Sequence, residues 1–359
     1  MSTTSKAGAV AHADPSRGAG LFRVAIVGAA TLKGKEIAEV LTDRNFPSVD
    51  VKLLDDDESL GQLESVGDEV SFIQRLRADQ FQHVDFTFFA SDQECTRKTW
   101  KLAQEVGSAI IDLSSALEDE SQAAVRSPWV ERESGQIPAP ELQPGPVVVA
   151  HPAAVVLAIL LLRLQAAGAM KRAVATVFEP ASEHGQKGID ELHEQTVNLL
   201  SFQQLPKKIF DTQIAFNMVA RYGEQSVPAL AVVEQRLLKH YRAIAGTAAP
   251  VPSLLLVQAP IFHGHAFALH IEMEGTVDVE NISTVLAGDH VKLGNLPEDS
   301  PTNVNAAGQG DILVSILPDA NAPNAFWLWA AADNLRIAAA NAVECAESMA
   351  ASRPKGQIQ

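Results

Sequence analysis

Cysteine is nearly missing from this chain. Only Cys95 and Cys345 occur among 359 residues, and they form no C-x-x-C pair. Two thiols cannot build a disulfide framework, and a structural zinc site has no usual spacing to rest on. A reduced, cytoplasmic setting is the expectation. Positive charge is also scarce. There are 28 Lys and Arg against 44 Asp and Glu, a net charge of -16. Such a surface repels phosphate backbones, so no nucleic-acid partner is expected. Long apolar runs are absent as well. The longest, residues 147–164, is broken by His151 and Pro152, and reads as strand, turn and buried helix, not a membrane span. Residues 1–20 are rich in Ala, Gly, Ser and Thr, hold no apolar signal segment, and read as a disordered tail.

What is present is ordinary for a globular protein: 47% apolar and 20% charged residues. The length allows two domains. Strand-like runs at 22–27, 51–54, 84–89 and 109–112 alternate with helical patterns at 34–41 and 97–106. That alternation predicts an α/β fold with a Rossmann-type, doubly wound parallel sheet. Pro138, Pro140, Pro144 and Pro146 mark a loop, and a further strand follows at 147–150. The second half reads as a mixed α/β domain. It has a strongly apolar helix at 154–164, a strand at 173–178, a helix at 188–200 and extended segments at 254–260 and 266–274 joined by a Gly-containing turn. Strands at 312–317 and 326–330 precede an Ala-rich helix at 334–350, which is expected to return to the first domain. The expected division is a nucleotide-binding domain at 21–150, a substrate and dimerisation domain at 151–330, the helix at 331–350 and a disordered end at 351–359.

The first strand runs into Gly28, Ala29, Ala30, Thr31, Leu32, Lys33 and Gly34. A glycine loop between strand and helix sets backbone N–H groups and the helix's positive end against a phosphate. A plain tight turn is the alternative. A Cβ at Thr31 hinders the close approach of a pyrophosphate. Asp55 opens the acidic run 55–58 after the second strand; a carboxylate there accepts from a ribose hydroxyl and repels a 2′-phosphate, so NAD is favoured over NADP. A solvated acidic turn is the other reading.

Several segments together resemble aspartate-semialdehyde dehydrogenases from about residue 22 to 350. They are Arg44-Asn-Phe-Pro47, Ile111-Asp-Leu-Ser-Ser-Ala116, Ile137-Pro-Ala-Pro-Glu141, Ile214-Ala-Phe-Asn217, Ala332-Asp-Asn-Leu-Arg336 and Asn341-Ala-Val343. The segments Val257-Gln-Ala-Pro-Ile261, Gly264-His265 and Ala215-Phe-Asn-Met218 look like the Usg-like branch, which is also non-standard at the cysteine position. The resemblance implies an NAD(P)-binding first domain, with Ser114 and Asn341 beside the cofactor, and a homodimer through the second domain. It also implies a site, and this chain departs from it. Ala154 stands where the family's attacking cysteine follows N-P-N, and alanine cannot form a thioester. Glu179 replaces the orienting glutamine, Gln258 a substrate-binding arginine and Glu118 a second arginine. The family's E-E-x-K helix start falls near Val227 to Leu230 without its charges. His265 keeps the place of the general base.

These losses predict a catalytically degenerate paralogue that binds nucleotide, or pairs with an active dehydrogenase as a heterodimer. A second reading is altered chemistry, in which His151, Glu179, His184 and His265 border the cleft and hold a zinc-like ion. A third keeps dehydrogenase activity with Cys95 as nucleophile, its thiol acidified by a helix start. Cys345 reads as a small core residue, Trp327 and Trp329 as core or interface packing, and Arg336 as a structural ion pair.

Overall fold

The structure is a computed structural model that describes residues 21–55, 60–67, 69–139, 145–294 and 299–352. The expected tail 1–20, the acidic positions 56–58, and Pro140, Glu141 and Pro144 lie outside the described residues, as do residues 353–359.

Strand β1 (Phe22–Val27) has the bounds expected from sequence, and Val24 to Val27 are wholly buried. An unbroken aliphatic run suits a strand covered on both faces. Helix α1 (Leu32–Asp43) follows, then β2 (Ser48–Asp55), a hairpin of β3 (Leu63–Val66) and β4 (Glu69–Phe72), and the short β5 (Gln74–Arg75). Next come β6 (Phe86–Phe89), α2 (Gln93–Glu105), β7 (Ala109–Asp112), β8 (Ala124–Arg126), α3 (Pro128–Ser134) and β9 (Val147–Val149). Seven strands form one sheet in the order β5-β2-β1-β6-β7-β9-β8, and each pairing is parallel. The order turns at β1, with β2 on one side and β6 on the other. This is the switch point where a doubly wound sheet opens a crevice for ligands.

The second half is built on α4 (Pro152–Leu164), buried on nearly every side as its all-apolar sequence demands. After it come β10 (Met170–Glu179), α5 (Gly185–Leu200), α6 (Leu230–Ala245), β11 (Ser253–Gln258), β12 (His265–Met273), α7 (Val279–Leu286), β13 (Val291–Leu293), α8 (Asn303–Ala306), β14 (Ile312–Pro318) and β15 (Ala325–Ala332). The sheet order is β11-β10-β12-β15-β14-β13, with both parallel and antiparallel pairings. The two extended segments read as neighbours across a glycine turn are not paired with each other. β10 lies between them, parallel to β11 and antiparallel to β12.

The last helix, α9 (Asn334–Ser352), does return to the first domain, and it runs two residues further than the sequence pattern indicated. Small side chains such as Ala338, Ala339 and Ala342 let it pack closely and are buried. Arg336 binds Glu36 and Asp43 of α1, the Trp129 indole donates to Glu344 at 2.9 Å, and the Ser127 hydroxyl donates to Asn341 at 2.7 Å. Each contact ties the end of the chain to its beginning.

Candidate functional site

Five elements converge where the two sheets meet: the starts of α1, α4 and α9, the end of β10 with the turn after it, and the start of β12. Glu179 ends β10 with 0% exposure, and neither carboxylate oxygen has a hydrogen-bond partner. His265 opens β12, 1% exposed, and its Nε2 is also unpartnered. Phe178 pairs with Ala266 across the strands, so Glu179 and His265 are the next cross-strand neighbours. The His265 and His151 rings lie 5.8 Å apart, centroid to centroid.

Burial holds the Glu179 carboxyl well above the usual glutamate range, and the Glu183 carboxylate adds to the shift, against Lys33 and Arg236. The shift favours the protonated, uncharged form of this carboxyl. Burial also keeps the imidazoles uncharged. It lowers His265 and pushes His151 down to about 3.

Glu183, which sequence reading overlooked, is the charged centre. Its Oε1 accepts from the Asn334 amide at 2.9 Å, and its Oε2 lies 4.0 Å from both Lys33 Nζ and His151 Nε2. Burial alone would raise Glu183; the Lys33 ammonium and the Asn334 amide more than offset this and hold it down to about 2. Asn334 also accepts from the Gly264 amide at 3.1 Å and bonds Ser182, so one side chain of α9 fixes the turns before β12 and after β10. The signal for Glu183 in sequence was its place in the Ser-Glu-His turn that follows Glu179.

The remaining predicted residues take other duties. The Gln258 amide is fully used: it accepts from the Tyr222 hydroxyl at 2.6 Å and donates to Glu179 O at 3.0 Å and Ala259 O at 2.9 Å. His184 bonds the same hydroxyl at 3.0 Å and packs edge-on against Phe210, and burial lowers it to about 4. Among the described residues, no three His, Cys, Asp or Glu come together as a group able to hold a metal ion. Asn341 spends its amide on Ser127 and Ile337 O, deep under α9. Glu118 does not stand alone as an inverted anion site. It meets Arg236 at 3.3 Å and His240 at 3.0 Å, both from α6, of which the sequence reading had only a start near Val227 to Leu230, by resemblance. Burial alone would raise Glu118, but these partners hold it down to about 2. His240 Nδ1 accepts the His151 amide at 2.9 Å, which leaves Nε2 to donate toward Glu118.

Ala154 is the third residue of α4 and is wholly buried. Neither thiol lies beside it in sequence or element. Cys95 sits in the first turn of α2, where burial raises its pKa instead of the lowering expected at a helix start. Cys345 is buried in α9 and pushed up to about 12.

The nucleotide loop is drawn tight. A Cβ at Gly28 would stand 2.5 Å from Ser91 N, and one at Gly34 would stand 2.1 Å from Gly28 O, so only glycine fits either place. The Ala30 amide donates to Asp55 Oδ2 at 2.8 Å, so Asp55 leans into the loop from the end of β2. Thr31 is the N-cap of α1. Its hydroxyl accepts from Gly34 N at 3.0 Å and lies 2.8 Å from Gly28 O. This leaves the Leu32 and Lys33 amides of the first turn as donors toward a phosphate. Strand, tight loop, helix start and carboxylate suit a dinucleotide. Ser114 lies across from them, its hydroxyl 2.6 Å from Asp112 Oδ1.

Fold and loop define a dehydrogenase-like protein of the nucleotide-binding α/β class, and the comparisons with known proteins agree. Residues 23–136 match the family model for the semialdehyde dehydrogenase NAD binding domain, and residues 161–337 match its dimerisation domain. The chain is 29% identical over 336 residues to aspartate-semialdehyde dehydrogenase of Rickettsia bellii, covering 91% of this chain and 97% of that one. It is 32% identical over 326 residues to a USG-1 protein homolog of Pseudomonas aeruginosa, covering 90% and 96%. Among solved structures, a probable aspartate-semialdehyde dehydrogenase from Pseudomonas aeruginosa superposes with a TM-score of 0.80 at 28% identity, over 91% of this chain and 98% of that one. The chain therefore belongs to the aspartate-semialdehyde dehydrogenase family, in its Usg-like branch.

Proposed function

We propose that this chain is a nucleotide-binding homodimer that no longer carries out the thioester chemistry of its family. What carries this reading is Ala154, buried in the first turn of α4, which the resemblance in sequence sets at the place of the attacking cysteine. Acyl transfer through the enzyme needs an ionisable nucleophile there. His151, one turn earlier, is occupied as the helix N-cap and accepts from the Ala153 amide at 3.2 Å. Cys95 and Cys345 belong to other elements and have raised thiol pKa values.

The nucleotide reading rests on the glycine loop and on Asp55, whose carboxylate favours NAD over NADP. The homodimer reading rests on the face of the second sheet turned away from α4. There Trp327 is 44% exposed and Leu255 49%, with Leu317 beside Trp327 across the strands. The same face would serve a heterodimer with an active relative. We place the domains at 21–150, 151–330 and 331–350, in a cytoplasmic protein whose two cysteines are both free.

The test is phosphate-dependent reduction of NAD and NADP with aspartate semialdehyde, run on the pure protein beside Ala154→Cys. No turnover by the unmodified chain is expected. Turnover above a control purification would show that another group has replaced the thiol. Ala154→Cys alone is expected to stay far below a complete enzyme, because Gln258 and Glu118 do not bind an anionic substrate.

A further inference from the structure

The protein satisfies its buried polar groups well. Among the described residues, three buried side-chain N or O atoms have no hydrogen-bond partner: Glu179 Oε1, Glu179 Oε2 and His265 Nε2. Isolated defects of this kind call for an explanation, and three at one place call for a common one. The two residues are cross-strand neighbours at the ends of β10 and β12, with 0% and 1% exposure. Their neighbours along the chain are compact: Ala181 and Ser182 follow Glu179, and Gly264 and Ala266 flank His265. The nearby charges are already matched. Lys33 faces Glu183, and Arg236 faces Glu118. Each of these two cations already has a carboxylate to face.

We propose that Glu179 and His265 form a receptor for an uncharged carbonyl compound of the primary-amide type. The fit is one of counting. A neutral carboxyl offers one O–H donor and one carbonyl acceptor, and His265 Nε2, with its ring proton on Nδ1, offers a second acceptor. A carboxamide brings one acceptor oxygen and two N–H donors. Its oxygen accepts from Glu179, one N–H donates back to Glu179, and the other donates to His265. All three orphaned atoms are then used. A carboxylate of the same shape brings acceptors only, and a second negative charge beside Glu183. Burial shifts Glu179 up and His265 down, and both directions favour the uncharged forms that this pairing uses. The inference rests on the reading that the cleft lacks a thiol, since an attacking sulfur would claim the same carbonyl.

Infrared difference spectroscopy on the full-length protein without nucleotide tests it. The probes are propionamide and its charged isostere propionate. At neutral pH, a carbonyl band of a protonated carboxylic acid is expected that vanishes in Glu179→Gln. Propionamide should shift this band, and propionate should not. By titration calorimetry, Glu179→Ala, which removes both of its hydrogen bonds to the ligand, should weaken propionamide about tenfold or more. Glu179→Gln, which keeps a neutral donor and acceptor, should retain most of the affinity. Absence of the acid band overturns the proposal. So does a band that neither probe moves, which would mean that solvent alone fills the site, and so does preference for propionate. None of these outcomes depends on turnover, so they stand apart from the dehydrogenase assay.

Discussion

The Glu179 carboxyl lies at 0% exposure without a bonded oxygen, and this shapes how stability varies with pH. Its folded pKa is raised, so its contribution is fully present below the unfolded value of about 4.3 and is lost as pH rises toward the folded one. His151 and His265 have the opposite sign. Their folded values are lowered, so stability is present above about 6.5 and is lost as pH falls, for His151 toward about 3. Glu183, Lys33, Arg236 and Asp333 face these groups and modulate the curve. Thermal unfolding followed across pH should therefore show a decline as pH rises above about 4.3 that Glu179→Gln flattens. An unchanged decline in that variant would show that Glu179 is ionised when folded. None of this was legible in the sequence. Glu179 is one letter from glutamine, and its charge depends on burial by β11, β12 and the turn at 181–184. The positions themselves were legible. Glu179, His265 and His151 do gather, whereas Gln258 and His184 turned out to hold Tyr222.

At the scale of elements, the proposed nucleotide site rests on the start of α1. Thr31 caps the helix through Gly34 N, and a side chain at this position is expected to hinder the close approach of a pyrophosphate. Thr31→Ala should cost about 1 kcal/mol of stability, the usual weight of a lost cap, whereas Thr31→Gly should cost only a few tenths. Thr31→Gly should also bind NAD more tightly, by about threefold or more in a fluorescence titration, because the Cβ is gone. Equal affinity in both proteins would move the phosphate away from this helix end. Sequence periodicity found α1, β1 and β7 because their runs are long or uniformly apolar. It passed over α6, although Leu230, Val233, Leu237, Tyr241 and Ile244 recur at helical spacing and are buried. That omission hid Arg236 and His240, and with them the meaning of Glu118. Strands β8 and β13 have three residues each, too few for a period to register. The seat of β10 between β11 and β12 is a non-local pairing that spacing along the chain does not encode.

At the scale of the whole molecule, α9 binds the two halves through charge as well as packing. Arg336 lies among Glu36, Glu39 and Asp43, and Arg44 answers from α1 with Glu344 and Glu347. Burial raises Glu36, with Asp333 and Glu39 adding to the shift and Arg336 opposing it. Removing the guanidinium leaves carboxylates facing one another, so Arg336→Ala should lower stability by about 2 kcal/mol in denaturant unfolding, more at low salt than at high. A change within error would mean that the seam is held by its alanines alone. The position of α9 also bears on how the protein is made. Residues 334–352 fill the face of the first domain that α1, α3, β7 and β9 leave open, and they carry the Asn334 amide to Glu183. On the ribosome, residues 21–150 emerge well before residues 334–352, which close them. Their apolar flank must wait through the synthesis of the intervening second half, so the nucleotide-type sheet is finished after the sheet that follows it in sequence.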